Sequence, residues 1–122
     1  MINKREVIQR LLERFYNLRY VAIYSDNELI SKQRESIENS SSSESDKYEE
    51  LIVNPTLLTL ARQRGNIDCG GLDFILIGYG NFNQIIKEIK GGHISLCLDK
   101  YVDLTKELAR IFNFLDFEIN EN

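Results

Sequence analysis

The stretch "GLDFILIGYGNFNQIIKEIKGGHISLCLDK", Gly71 to Lys100, decides the fold, because it carries three strand signals separated by two turn signals. Leu72, Phe74 and Leu76 fall on one side of the first strand, and Ile75, Ile77 and Tyr79 on the other. A strand apolar on both faces is expected to be covered on both. Gly80-Asn81 supplies a turn and "FNQIIKEIK" a second strand. Gly91-Gly92 makes the tight return, since glycine reaches positive φ without steric cost. "HISLCLDK" then alternates, with Ile94, Leu96 and Leu98 inward and His93, Ser95, Cys97 and Asp99 on the accessible side. The three strands predict an antiparallel meander.

Working outward, "NKREVIQRLLERF" predicts a helix from Asn3, with Ile8, Leu11, Leu12 and Phe15 on one stripe. "RYVAIYSDNELISK" reads as a hairpin: Tyr20 to Tyr24 and Glu28 to Lys32 are strands, and Ser25-Asp26-Asn27 is the turn. Residues 35–47 are acidic, serine-rich and poor in apolar side chains, and are expected to form a mobile loop inserted in a single domain spanning 1–122. Asn54-Pro55 resembles an N-cap followed by proline at the first helical position. The helix that follows should show an apolar face of Leu57, Leu60 and Ala61, widened by Leu58, and should stop at Gly65 and Asn66. Asp103 is placed to cap a last helix bearing Leu104, Leu108, Ile111 and Leu115. The predicted class is therefore α+β: a five-stranded antiparallel sheet in the order helix–strand–strand–helix–strand–strand–strand–helix, with helices on both faces.

Composition narrows the function. A chain of 122 residues with 43% hydrophobic and 28% charged residues is ordinary for one globular domain. Its net charge of −4 is uneven. Residues 1–34 carry seven Lys/Arg against four acids, and 35–50 carry one Lys against six acids. No basic face rich enough for nucleic acid stands out. The longest uncharged run, Phe74 to Ile86, is too short and too polar to span a membrane, so no membrane insertion is expected. The charged N-terminus lacks a signal-peptide pattern, and Cys69 and Cys97 have no paired spacing. A reduced, cytoplasmic protein is the expectation.

The candidate chemistry is thin. Gly78-Tyr79-Gly80 begins like a dinucleotide fingerprint, but the third glycine would fall at Asn83 and a strand follows where a helix is required. His93 is the sole histidine, and a Cys97–His93 dyad fails because i, i+4 positions on a strand lie some ~13 Å apart. Asp73, His93 and Asp99 assemble no recognisable acid, base and nucleophile, so no catalytic residue, cofactor or metal is expected. Arg62, Arg64 and His93 are candidate contacts for a partner.

The element order, the size and "GGLDFILIGYGNFNQIIKEIKGGHISLCLD" together resemble the roadblock/dynein light chain family, over nearly the whole chain apart from the serine-rich segment. The resemblance implies a profilin-like fold and a non-enzymatic dimeric scaffold that regulates or docks a small Ras-like GTPase or another cytoplasmic protein. Members associate through the middle helix and the edge strand beside it. Carried onto this chain, that interface comprises Leu57, Leu58 and Ala61 with Leu72, Phe74 and Leu76. Departures are the long segment before the middle helix and the absence of a glycine in the first hairpin turn. The alternative is a small-molecule sensor domain of profilin-like fold.

Overall fold

A computed structural model of the chain describes residues 2–35 and 43–120. Helix α1 (Lys4–Arg14) is followed by β1 (Leu18–Ser25) and β2 (Glu28–Gln33). A continuous helical stretch then runs through α2 (Ser43–Tyr48), a π-helical turn (Glu49–Val53) and α3 (Asn54–Asp68). Strands β3 (Ile75–Gly78), β4 (Phe82–Ile89) and β5 (Gly92–Asp99) form the meander, and α4 (Leu104–Leu115) runs on into a second π turn (Asp116–Asn120). The sheet is antiparallel with order β2-β1-β5-β4-β3, so β2 and β3 are its edges. The α+β class and the sheet follow the sequence expectation.

Local chemistry accounts for the boundaries. Asn3 caps α1 by accepting from the Glu6 amide, and Asp103 caps α4 by accepting from Lys106. The first hairpin does without glycine because Asp26 and Asn27 both take positive φ, at 53° and 63°. That is the requirement of a two-residue primed turn, and Asp and Asn tolerate the left-handed region better than other side chains. Gly92 is fixed by space instead: a Cβ there would overlap the carbonyl of Tyr24 across the β1–β5 pair.

Two helix boundaries differ from expectation. Residues 36–42 of the serine-rich segment lie outside the described residues, but Ser43–Tyr48 is helix where a loop is predicted. Asn54 is not a cap; it sits in mid-helix with helical angles, buried, after a π turn. The π turn answers a problem Pro55 creates. Proline offers no N–H to the carbonyl four residues back and clashes with it, and a widened turn relieves both. At the far end the helix passes Gly65 and stops at Cys69, with Gly70 (φ 81°) as the left-handed terminator. Gly65 serves packing: its carbonyl accepts from Cys69 and Gly71 N–H groups, and a Cβ would press on the Gly71 backbone.

The sheet is covered on both faces. Below it, α1 and α4 bury Ile8, Leu11, Ile111 and Leu115 against Val21, Ile23, Ile85, Ile94, Leu96 and Leu98 in one contiguous core. Phe74 joins this core beside Phe112, ring centroids 5.0 Å apart. Above it lie the π turn and α3, over a face made of Tyr20, Ala22, Gln84, Ile86, His93, Ser95 and Cys97.

Prediction: Gly92→Ala should lower stability by about 1–3 kcal/mol, the usual cost of overpacking a site that cannot relax. Chemical denaturation followed by circular dichroism measures it, and an unchanged midpoint would contradict the close β1–β5 approach.

Candidate functional site

Two features of the upper face bear on function: a buried polar cluster under the helix, and the helix's outer surface beside edge strand β3. The cluster is built from three elements. Antiparallel register puts Tyr20 opposite Cys97 and Tyr24 opposite His93, all pointing up. The π turn lowers Glu50 onto them, fully buried. Its carboxylate accepts from the Tyr20 hydroxyl at 3.1 Å and from Asn54 Nδ2 at 3.0 Å. His93 Nε2 lies 2.9 Å from Oε1, and since a carboxylate only accepts, that nitrogen carries the proton. Three donors around one buried carboxylate are what make its burial tolerable.

The cluster is closed off from solvent. His93 is 2% exposed, which overturns its reading as a residue on an accessible strand face and removes it from any partner surface. Burial, reinforced by the negative charges of Glu50 and Asp46, pushes the Tyr20 phenol far above its usual range. Burial, then Glu49 and Glu50, likewise raises the Cys97 thiol well above its ordinary value, so that sulfur is a poor nucleophile. Next to it, Glu49 is raised by burial and by the charge of Glu50, an effect opposed by hydrogen bonds from Tyr79 and Gln84. Among the described residues, no three His, Cys, Asp or Glu side chains group closely enough to hold a metal ion.

The predicted interface divides. Leu57 and Ala61 are half-buried on α3, and Leu72 is half-buried just before β3. Leu58, however, is 4% exposed and faces the sheet, so it belongs to the protomer's own packing. Phe74 is committed to the lower core. Leu76 is 41% exposed, so the protomer alone leaves one face of β3 open where cover on both faces is expected. Only Ile75–Gly78 pairs as strand, on one side, with Asn83 to Ile86 of β4. The two arginines are engaged within the chain: Arg62 reaches Glu88 of β4 at 2.5 Å, and Arg64 bonds Asp68 one turn along at 2.7 Å.

Sequence reasoning missed two things. The inward stripe of α3 is Asn54, Leu58 and Gly65, while Leu60 (60% exposed) and Ile67 (75% exposed) point out. Leucines on both sides of the helix give periodicity no preference between them. Glu50 was hidden at the end of an acidic run. His93 gave no signal of its burial either: its direct cross-strand neighbours are Tyr24 and Glu88, one large and one charged.

Prediction: Glu50→Ala should cost at least about 1–3 kcal/mol, the range for leaving buried donors without their acceptor, and hydrogen exchange should speed up across 43–53. Prediction: Glu49→Gln should raise the melting temperature at pH 7. Its folded-state pKa lies above the unfolded value near 4.5, so ionisation opposes folding. The gain is absent well below pH 4.5, appears as pH rises through the folded-state value and is full above it; an equal gain at pH 3 and pH 7 would refute this.

Among the described residues no helix is long and apolar enough to cross a membrane. Scanned against models of known protein families and against curated proteins, the chain matches none.

Proposed function

We propose that this protein is a non-enzymatic, homodimeric, cytoplasmic adaptor, in which two copies join through the outer face of α3 and the free edge of β3. One observation carries the reading: large apolar side chains stand exposed beside an unpaired strand edge. Leu60 and Ile67 lie two turns apart on the outer face of α3, and Leu76, opposite Ile85 in register, projects from the lower face of β3 at the sheet's edge. Gly65 backs onto Gly71 and Leu72, which brings the helix end and the start of the edge strand together. An unpaired edge offers free N–H and C=O groups to another strand, and exposed apolar side chains favour cover. A two-fold contact with a second copy meets both needs with one self-complementary surface.

The helix–sheet element order also supports the reading, through its resemblance to roadblock-type dimers. That resemblance alone supplies the proposed partner, a small Ras-like GTPase or another cytoplasmic protein docking on the composite surface. Arg62 and Arg64 remain on its rim as side chains that would have to exchange their intrachain carboxylates for those of a partner.

Prediction: sedimentation or light scattering should report a dimer at micromolar concentration. Leu60→Asp with Ile67→Asp should weaken it by more than ~2 kcal/mol, as expected for charges placed in an apolar contact, with the melting profile of the diluted protomer unchanged. A folded wild-type monomer at high micromolar concentration would refute the proposal. Leu58→Asp and Phe74→Asp are unsuitable probes, because both positions are packed inside the protomer.

A further inference from the structure

A cleft of about 920 Å³ opens between the start of α1, the β1–β2 turn, the β4–β5 turn and the C-terminal π turn. None of its lining residues belongs to α3 or β3. Its apolar lining is Ile2, Ile30, Ile89 and Ile119, each half-buried and packed against the lower core. The lower core therefore opens into this cleft where α1 and the C-terminal π turn flank it.

The charges around it are unequal. Lys4 is spent within the protein: its ammonium donates to the Ser25 carbonyl at 2.6 Å, the Glu28 carbonyl at 3.0 Å and the Glu28 carboxylate at 3.2 Å. Arg5 and Lys90 are exposed and form no ion pair or side-chain hydrogen bond among the described residues. Among the described lining residues Asp26 is the one acid left to oppose them, giving that lining a surplus of a single positive charge. No aromatic side chain is among the described residues that line the cleft, so a nucleobase would find nothing there to stack on. A sugar or other polyol would leave its hydroxyl groups against isoleucine, at the cost of unmade hydrogen bonds.

We propose that this cleft is a binding site for a free, unbranched aliphatic carboxylate, its chain lying on the four isoleucines and its head between Arg5 and Lys90. The surplus of one charge matches a monoanion, and guanidinium and carboxylate pair with two parallel hydrogen bonds. The volume lies within the range of small-ligand sites, roughly 300–1,000 Å³. The site is independent of the dimer contact.

The test uses the whole protein with decanoate, decylamine and decanol, each below its micellar concentration, read by isoleucine-methyl NMR and thermal melting. Decanoate should shift the methyl signals of Ile30, Ile89 and Ile119 and raise the melting temperature saturably. Decylamine should bind at least about tenfold more weakly. Arg5→Gln with Lys90→Gln should weaken decanoate by about tenfold or more and leave decanol unchanged, because both side chains are exposed and unpaired. Arg5→Lys should lose part of the affinity but less than the double variant, because the charge stays while the paired hydrogen bonds are lost. The proposal is overturned by unmoved isoleucine methyls, by equal response to decylamine and decanoate, or by full binding in the double variant. Sedimentation with phosphatidylglycerol vesicles without any response to decanoate would also overturn it, assigning the cations to a membrane surface. Repeating the titration on the Leu60→Asp, Ile67→Asp protein separates this result from the question of dimerisation.

Discussion

The Glu50 carboxylate is the fastening on which the upper half of the molecule depends. It lies at the centre of hydrogen bonds from β1 through Tyr20, from β5 through His93, and from its own helix through Asn54. Beneath the sheet, cohesion comes from aliphatic side chains in contact. Above it the facing residues include Ser95, Gln84, His93 and Cys97, which cannot hold a helix by apolar burial alone. A fully buried carboxylate without donors would be expelled, and buried donors without a carboxylate would be left unpaired. Each side needs the other, which fixes where the helix sits and how it is rotated.

That rotation has a consequence for recognition. With Asn54, Leu58 and Gly65 turned inward, the opposite side of α3 must carry Leu60 and Ile67 into solvent. The π turn before Pro55 contributes, because it changes the helical phase between Glu50 and Leu58. Polar docking inside and apolar exposure outside are thus two results of one constraint. Leu60 and Ile67 stand among exposed polar side chains such as Gln63 and Arg64, and the proposed contact with a second copy draws on these two.

The lower face tells a different story. There α1 and α4 pack aliphatic side chains on the sheet, but the N-terminal end of α1 and the C-terminal π turn leave four isoleucines lining a cleft. Lys4 closes one side by bonding across to the β1–β2 hairpin, which leaves Arg5 and Lys90 as the unengaged cations. The two faces of one small sheet therefore carry surfaces of different character, one suited to a macromolecule and one to a small amphiphile.

Much of this was legible in the chain. Strand composition in β1 and β4, alternation in β5, the helix start at Asn3, the Asp103 cap and the turns at Asp26-Asn27 and Gly91-Gly92 are local matters, governed by sterics and hydrogen bonds within a few residues, and these positions hold in the fold. Ser43–Tyr48 buries no side chain and so carries no apolar period, and the continuation of the middle helix forward past Gly65 was not legible, because it depends on packing against Gly71. Nor was the burial of His93 or the exposure of Leu60. Hydropathy says which side chains would gain from cover, but only the meeting of β1, β5 and the π turn around one carboxylate decides which of them receive it. Pairing partners far apart in sequence, such as Glu50 with His93, leave no period in the chain to be read; they exist only once the backbone has closed.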